Sequence, residues 1–274
     1  MTQPSPMAVH GHRLLGMSHD WSSLDPLCII PARGGSKRIR GKNIRELDGL
    51  PILSRTIELA RSSHVFQEIV VSTDNEEIAK CAEAAGAVVP FERCQSLSDD
   101  KTGLLDVVTD TISRLSLHLY PAKKICCLLP SAVLLERADI VGSYTAICTG
   151  SSDAFLVAGA QYDHPIERAL IVGSDGFLNS REATSLTKRT QDCAEFWHDA
   201  GQFYWATVAT WLAKTNILQH SRLYPIPSYR AVDLDTEDDW HLLEALYFHR
   251  KIRNDSGSKE SKPRETGHET IANR

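Results

Sequence analysis

Short apolar runs of strand length alternate with amphipathic helical patterns along the central part of the chain. The first run begins at Leu27, and similar runs recur as far as Ala158. Between them, Leu104, Val108 and Ile112 repeat at four-residue spacing, which is typical of a helix with one buried face. The pattern predicts strands at 27–31, 68–72, 87–91, 125–129 and 154–158, and helices at 51–61, 75–85 and from about 102.

This alternation predicts an α/β fold with a mostly parallel sheet covered by helices on both faces. Strands joined through helices cross over in the right-handed sense and run parallel. A last strand at about 231–234 precedes a predicted helix from Thr236, where Thr236 and Asp239 fit a capping box. The buried face of that helix is expected to consist of Trp240, Leu243 and Tyr247. Ligands bind beyond the carboxyl ends of such strands, so function is expected in the loops at that edge.

The two ends of the chain differ in composition from its middle. Residues 1–24 are polar and rich in His and Ser, which predicts a flexible N-terminal extension. Residues 254–274 hold few aliphatic side chains and are predicted to form a disordered tail. The globular domain is therefore expected at 25–253, and the irregular stretch at 159–198 is interpreted as an insertion or subunit contact.

Charge, hydropathy and cysteine usage exclude several classes of protein. The chain has 30 Lys and Arg residues against 35 Asp and Glu residues, a formal charge of −5, which argues against binding nucleic acid through a basic surface. No apolar run approaches the ~18 residues of a membrane-spanning helix, so no membrane partner is expected. The 7 cysteines lack metal-site spacing, which predicts reduced thiols and a cytoplasmic location.

The loop after the first predicted strand concentrates glycine and positive charge. It reads PARGGSKRIRGKN and holds five Lys and Arg residues within ten positions. Gly34 and Gly35 allow backbone N–H groups to approach an anion. Arg33, Lys37 and Lys42 supply charge for a triphosphate. The spacing is neither a Walker A loop nor GxGxxG, so a phosphate-binding loop and a solvated basic loop with a Gly-Gly turn both remain open.

A pair of carboxylates precedes the last helix. Asp233 and Asp235 lie two residues apart, so both would point to the same face of a strand. Paired carboxylates suit Mg²⁺, which also takes water and phosphate oxygens as ligands. The alternative is that Asp235 caps the helix, which is a common use of an acidic residue there.

Two further segments hold candidate ligand contacts. Gln202 lies in the aromatic run WHDAGQFYW and is able to orient a sugar or base amide. The alternative for this run is a packed core strand with its turn. Arg93 and the segment LSDDKTG complete the candidates, and Asp99 or Asp100 is expected to cap a helix from Thr102.

Together these segments resemble the acylneuraminate cytidylyltransferases. The similarity rests on IIPARGGSKRIRGKNI, IVVSTDNEEIA, PFERCQSLSDDKTG, DAGQFYW and VDLDTEDDW, and extends from about residue 28 to residue 247. LSDDKTG, HPIERAL, RTQD and HDAGQFYW are similar to the branch of that family whose acceptor is pseudaminic acid.

The resemblance implies a Rossmann-like nucleotide-diphospho-sugar transferase fold with an inserted dimerisation segment. It implies an enzyme, a nucleotidyltransferase that moves CMP from CTP to the anomeric hydroxyl of a nonulosonic acid and releases pyrophosphate. Mg²⁺ is the implied cofactor, and a homodimer is the implied assembly.

The resemblance also implies roles for individual residues that match the family's motifs. Catalytic roles fall to Lys42, Arg33 and Asp235. Nucleotide-binding roles fall to Ala32, Arg33, Gly34, Gly35, Ser36, Lys37, Lys42, Asn43, Arg93 and Thr102. Sugar-binding roles fall to Arg189, Gln202 and Tyr204. Metal ligation falls to Asp233 and Asp235.

Two other functions remain compatible with these residues. One is CMP transfer to a sialic or legionaminic acid, because the segment at 129–134 departs from the family pattern where the sugar and base pockets are lined. The other is a nucleotide-binding homologue that kept the fold without turnover. Tight CTP binding without pyrophosphate release would support this second alternative.

Overall fold

The computed structural model describes residues 20–260, except 22, 24, 100, 152, 181–188 and 214–215. Its strands are β1 (Leu27–Pro31), β2 (Glu46–Leu47), β3 (Leu50–Pro51), β4 (Glu68–Ser72), β5 (Lys124–Leu128), β6 (Phe155–Gln161), β7 (Leu170–Val172), β8 (Leu178–Ser180), β9 (Trp197–Thr207) and β10 (Ser221–Pro225). Its α-helices are α1 (Ile52–Ser62), α2 (Glu76–Ala84), α3 (Leu104–Arg114), α4 (Arg137–Thr149), α5 (Val208–Leu212) and α6 (Glu237–Glu260).

Six of these strands form one sheet in the order β10-β6-β9-β5-β1-β4. β4 and β5 both run parallel to β1, and β10 runs parallel to β6. β9 is the exception, because it lies antiparallel between β5 and β6. The mostly parallel sheet with flanking helices confirms the predicted fold class.

Helices cover both faces of the sheet, as the alternation in the sequence predicted. Successive residues of β1 point into two different cores: Cys28 and Ile30 pack with α1, α2 and α4, whereas Leu27 and Ile29 pack with α3 and α5. The predicted helices at 51–61, 75–85 and from about 102 are confirmed apart from their end residues. α2 begins after Asn75, whose side-chain oxygen accepts a hydrogen bond from the Ile78 N–H at 2.9 Å.

Two predicted strands are wrong. Residues 87–91 touch β4 only through isolated bridges such as Val70–Val88, because Pro90 has no N–H to extend a ladder. The segment at 231–234 forms no ladder either, and β10 takes the edge position beside β6 instead. Val232 and Leu234 are buried by packing against α6 and not by pairing in the sheet.

The regions that the sequence set apart from the main domain are described in part. The predicted insertion at 159–198 holds the β7–β8 hairpin, and 181–188 lie outside the described residues. The end of the predicted N-terminal extension contacts the residue before β5, since Lys123 Nζ donates to the Trp21 carbonyl at 2.8 Å. α6 continues to Glu260, past the predicted boundary at 253, and the rest of the predicted tail lies outside the described residues. Within the described chain, no helix has the length and apolar character needed to cross a membrane.

A third apolar core lies under α6 and includes residues of the loops that follow the strands. Trp240 and Leu243, two of the three residues predicted for the buried face of this helix, are 1% and 0% exposed, and Tyr247 is partly buried beside them. Arg250, one turn further along α6, donates to the carbonyls of Val133, Leu134 and Leu135 at 3.0, 2.9 and 3.4 Å. α6 therefore holds the loop after β5 in place.

Replacing Trp240 with Ala should lower the free energy of unfolding by about 3–5 kcal/mol, because the lost indole leaves a cavity in the third core. Chemical unfolding followed by circular dichroism measures the change. Leu242→Ala is the matched control on the same helix: Leu242 is 51% exposed, and the expected change is below about 0.5 kcal/mol. Equal small losses for both variants would contradict the docking of α6 described here.

Candidate active site

The loop after β1 lies at the carboxyl edge of the sheet and is fixed by its neighbours. The Gly34 N–H donates to Asp74 Oδ1 at 2.9 Å, and Asn43 Nδ2 donates to the Arg33 carbonyl at 2.9 Å. A Cβ on Gly34 would lie 2.8 Å from the Asn75 Cβ, which is closer than real Cβ contacts allow. Gly34 is thus required by close packing, and its amide, which the sequence analysis assigned to an anion, is used inside the protein.

A cavity of about 260 Å³ opens beside this loop at the ends of β1 and β5. Six of the predicted nucleotide residues form part of its wall: Arg33, Ser36, Lys42, Asn43, Arg93 and Thr102. Asp233 also lines it, together with Leu129, Pro130 and Ser131 from the loop after β5. Ala32 is fully buried, and the wall does not include Gly34, Gly35, Lys37 or Asp235. The structure therefore brings cations from two loops and two carboxylates, those of Asp99 and Asp233, to a common cavity.

Lys42 connects the loop after β1 with the segment that precedes α6. Its Nζ donates to the Leu234 carbonyl at 2.8 Å. Burial lowers the pKa of Lys42, and the negative charges of Asp233 and Asp235 partly oppose that shift. The ammonium group is therefore positioned between the phosphate loop candidate and the carboxylate pair.

Arg93 brings a nearly buried guanidinium to the same cavity. Its side chain is 3% exposed, and its Nη2 lies 3.6 Å from Asp74 Oδ1. Burial lowers the pKa of Arg93, and Asp74 opposes the shift. Its Nε and Nη2 are buried and have no hydrogen-bond partner. Leaving charged N–H groups unsatisfied costs free energy, so this arrangement indicates a place for an acceptor supplied by a ligand.

The carboxylate pair stands on a loop, so the strand geometry predicted for it is wrong. Asp233 is partly buried, which raises its pKa, and the charge of Asp235 raises it further, while Lys42 opposes both. Asp235 Oδ2 forms an ion pair with Arg38 Nη1 at 2.7 Å. These contacts place two carboxylates and two cations within one charge cluster.

The predicted capping box at the start of α6 is present. The Thr236 N–H donates to Asp239 Oδ2 at 2.7 Å, and the Asp239 N–H donates to Thr236 Oγ1 at 3.2 Å. Asp235 contributes only its backbone N–H to this cap, so its carboxylate is not the helix cap that the alternative interpretation required.

The carboxylate pair suits a metal that needs few protein ligands. Within the described residues, no three His, Cys, Asp or Glu side chains come together around one point. Mg²⁺ fits two carboxylates, because it keeps several waters and completes its shell with phosphate oxygens. Burial raises the pKa of Asp233, and the charge of Asp235 raises it further; a bound cation relieves this repulsion between the carboxylates.

The segment from Asp99 to Thr102 closes a turn beside the cavity. Asp99 Oδ1 accepts hydrogen bonds from the Thr102 N–H and hydroxyl, both at 2.7 Å, and these bonds lower the pKa of Asp99. α3 begins only at Leu104 and has no side-chain cap, so the predicted capping role of Asp99 is wrong; Asp100 lies outside the described residues. The Asp99 carbonyl accepts from Arg33 Nη1 at 2.7 Å, which orients that arginine.

The three residues assigned to the sugar do not form one open site. Gln202 and Tyr204 are 1% and 6% exposed in β9. Gln202 Nε2 donates to the Ala200 carbonyl at 2.9 Å, and Tyr204 donates to Asp199 Oδ2 at 2.8 Å. No hydrogen bond or ion pair of the described residues connects Arg189, on the exposed insertion, with either of them. Gln202 and Tyr204 pack in the core strand, but Gln202 Oε1 is buried without a hydrogen-bond partner, so its contact with the sugar stays a prediction.

Asp74, Asn75 and Asp199 lie beside the site and were not among the residues predicted for it. Asp74 and Asn75 follow β4, the parallel neighbour of β1, so a carboxylate beside the loop after β1 was a signal available from strand order alone. Asp199 had no such signal, because its position depends on an irregularity in β9.

Comparisons with known proteins point in one direction. A family model described as Cytidylyltransferase matches residues 27–148. The chain is 36% identical over 231 residues to the pseudaminic acid cytidylyltransferase of Campylobacter jejuni, which covers 84% of this chain and 98% of that relative. It is 44% identical over 92 residues to the CMP-N,N'-diacetyllegionaminic acid synthase of the same species, covering 34% of this chain and 39% of that relative.

Solved structures show the same fold. CMP:2-keto-3-deoxy-manno-octonic acid synthetase complexed with CTP matches with a TM-score of 0.61 at 16% identity, covering 82% of this chain and 99% of that chain. A 4-diphosphocytidyl-2C-methyl-D-erythritol synthase matches with a TM-score of 0.57 at 15% identity, covering 82% and 98%.

Gly34→Ala should lower the free energy of unfolding by about 1–3 kcal/mol, because the added methyl group meets the Asn75 side chain. Gly35→Ala is the matched control, since its added Cβ finds no atom closer than 4.0 Å. We expect its stability to stay within about 0.5 kcal/mol of the wild type. Urea unfolding of both variants measures the difference, and equal effects at the two positions would contradict the described packing of the loop.

Proposed function

The chain belongs to the cytidylyltransferase family and is a nucleotidyltransferase, and from that premise we propose that it transfers CMP from CTP to the anomeric hydroxyl of pseudaminic acid. The products would be CMP-pseudaminic acid and pyrophosphate. The choice of pseudaminic acid as the acceptor rests on the 36% identity to a pseudaminic acid cytidylyltransferase along 98% of that protein's length. The cation-lined cavity at the end of β1 supports the triphosphate side of the reaction.

The proposed reaction needs alignment and charge stabilisation from the protein, and no protein nucleophile. The acceptor oxygen attacks the α-phosphorus, the bond to the pyrophosphate oxygen breaks, and the acceptor hydroxyl loses its proton. Negative charge grows on the phosphate oxygens during this step. We assign the stabilisation of that charge to Lys42 and Arg33, because both line the cavity and both are oriented by backbone carbonyls.

We propose Asp233 and Asp235 as the protein ligands of Mg²⁺. The bound ion would supply further neutralisation of the phosphate oxygens. Arg38 lies on the basic loop and forms an ion pair with Asp235, which orients that carboxylate. Asp233 adds a partly buried carboxylate at the cavity wall.

A legionaminic acid is the second candidate acceptor. It is favoured by the 44% identity to a CMP-N,N'-diacetyllegionaminic acid synthase, which exceeds the identity to the pseudaminic relative. That match covers only 34% of this chain, whereas the pseudaminic match covers 84%. The longer match favours pseudaminic acid, because it extends over the residues that must contact the acceptor as well as the nucleotide.

We also propose that two copies of the chain associate through the insertion. The β7–β8 hairpin exposes Val172, Phe177 and Leu178 to 67%, 71% and 64%, and such an apolar surface marks an interaction site. The proposed cytoplasmic location is supported by the 7 cysteines, all of which are free thiols.

Pyrophosphate release tests the proposed reaction. Purified protein with CTP and Mg²⁺ is expected to release pyrophosphate with pseudaminic acid, and not with N-acetylneuraminic or legionaminic acid, and EDTA is expected to abolish release. Lys42→Ala should lower kcat about 10²–10³-fold, because it removes a charge partner of the transition state. Lys80→Ala is the control, since Lys80 is an exposed residue of α2 paired with Glu76, and its activity should be unchanged.

Each other outcome of this assay identifies a different error. Release with another acceptor would keep the chemistry and overturn the choice of pseudaminic acid. Retained CTP binding without release from any acceptor would overturn the catalytic proposal in favour of a nucleotide-binding homologue. Unchanged kcat in Lys42→Ala would overturn the role of that residue.

Arg93→Met should weaken CTP binding about 10–100-fold, because the variant removes two charged donors, Nε and Nη2, that have no hydrogen-bond partner inside the protein. The free energy of unfolding should fall, because the variant leaves the largely buried Asp74 carboxylate without its ion-pair partner. Calorimetric titration with CTP and urea unfolding measure the two effects. Arg114→Met, at an exposed arginine of α3, is the control. Lost stability with unchanged CTP affinity would show that Arg93 is only structural.

A further inference from the structure

β9 contains a large irregularity next to the candidate active site. Val157 of β6 pairs with Tyr204, yet Gly159, only two residues further along β6, pairs with Asp199. Two steps on one strand therefore match five steps on the other. Gly201, inside this bulge, has a φ of +59°, a conformation that favours glycine. Bulges of this kind change the direction of side chains beside functional sites.

The bulge brings Tyr204 back onto Asp199. On a regular strand, residues five apart are separated by about 16–17 Å and point to opposite faces. Here the Tyr204 hydroxyl donates to Asp199 Oδ2 at 2.8 Å, and the Gly201 N–H donates to Asp199 Oδ1 at 2.9 Å. Burial raises the pKa of Tyr204, and the charge of Asp199 raises it further, so the phenol remains a donor. A buried tyrosine and a backbone amide thus hold both oxygens of one carboxylate.

Asp199 is an exposed residue although both of its carboxylate oxygens accept hydrogen bonds. Among the described residues, no lysine, arginine or histidine side chain lies within salt-bridge distance of it. Each carboxylate oxygen can accept a second hydrogen bond, so two acceptor positions stay open. An oriented and unpaired carboxylate at the surface offers a ready contact to a ligand that carries donors.

Asp199 lies on the same side of β9 as the candidate active site. A Cβ built on Gly201 would lie 3.6 Å from the Asp233 Cγ, while the Gly201 N–H is bonded to Asp199. Gly201 is therefore placed between the two carboxylates. The described residues contain no group of three metal-ligating side chains, so Asp199 does not join Asp233 and Asp235 in one metal site. The position beside Asp233 instead suits a contact with the acceptor.

We propose that Asp199 binds the acceptor sugar by accepting a hydrogen bond from a hydroxyl or acetamido N–H group, and that Tyr204 is its positioning residue. This inference rests on the proposed function, which supplies an acceptor with such donors. A carboxylate at this place also repels the carboxylate of an α-keto acid, so it fixes which end of the acceptor approaches Asp233. Asp199 is then a specificity-determining residue, and Tyr204 acts only through it.

Steady-state kinetics with the full chain test this inference. With pseudaminic acid varied at saturating CTP and Mg²⁺, Asp199→Ala should raise the KM for the acceptor about 10–100-fold, because a bond to a charged group is lost. The KM for CTP should stay unchanged. Tyr204→Phe, which keeps the ring, should raise the acceptor KM about 3–10-fold and also leave CTP unaffected. Asp153→Ala, at an exposed aspartate before β6, is the matched control.

Acceptor analogues identify the bonded group. The analogue that lacks the bonded hydroxyl or acetamido group should bind the wild type as weakly as the full acceptor binds Asp199→Ala. Asp199→Ala should weaken the binding of that analogue little further, because the analogue already lacks the interaction that the variant removes.

Failure of this inference and failure of the proposed function give different results. If the wild type releases no pyrophosphate with any acceptor, the proposed function fails. If the wild type is active and Asp199→Ala has an unchanged acceptor KM, this inference fails. Weaker Mn²⁺ binding by Asp199→Ala, measured by electron paramagnetic resonance in the presence of CTP, would overturn it in favour of a metal ligand.

Discussion

The hydrogen bond from Lys42 Nζ to the Leu234 carbonyl is the constraint on which the rest of the site depends. It joins residues that are 192 positions apart and holds the basic loop after β1 against the carboxylate segment before α6. Two ion pairs strengthen the same junction: Arg45 with Glu237 at 2.6 Å and Lys251 with Asp48 at 2.7 Å. Closing so long a loop costs entropy, and the apolar core around Trp240 supplies the stabilisation that offsets it. Cations and carboxylates can therefore share one cavity only because α6 is docked.

The site keeps several polar groups in arrangements that do not favour stability. Arg93 is buried with unsatisfied N–H groups, and the pKa of Asp233 is raised by burial and by the charge of Asp235. Each arrangement costs free energy in the isolated chain, and each is relieved by a ligand of opposite charge. A triphosphate with a divalent cation brings both the negative oxygens and the positive ion that these groups lack. The charge distribution thus matches the reaction of the family to which the chain belongs.

The parts of the fold that depend on local pattern could be predicted from the sequence, and the parts that depend on tertiary pairing could not. The strands at 27–31, 68–72 and 125–129 are uninterrupted apolar runs, and the structure has them within one residue. Pro90 breaks the ladder at 87–91, and the burial of Val232 against α6 imitates the pattern of a strand. For the candidate site, the sequence predicted the loop that contains Lys42. Which group each side chain contacts depends on the tertiary structure and could not be predicted. Gln202 Nε2 and the Tyr204 hydroxyl show this, since both donate hydrogen bonds within β9 and its neighbouring loop.

In the proposed function, the bulge in β9 separates the acceptor contact from the nucleotide side of the site. The segment matched by the family model, residues 27–148, contains the basic loop and Arg93, and it ends before β6. Asp199, Gly201 and Asp233 all lie beyond it. A strand that was regular here would carry Asp199 and Tyr204 on opposite faces, and no oriented carboxylate would stand beside Asp233. The nucleotide side is built from loops after parallel strands, whereas the proposed acceptor contact is built by an antiparallel strand that departs from its register. Changes within that bulge are able to alter the acceptor while leaving the parallel strands, and the nucleotide chemistry at their ends, as they are.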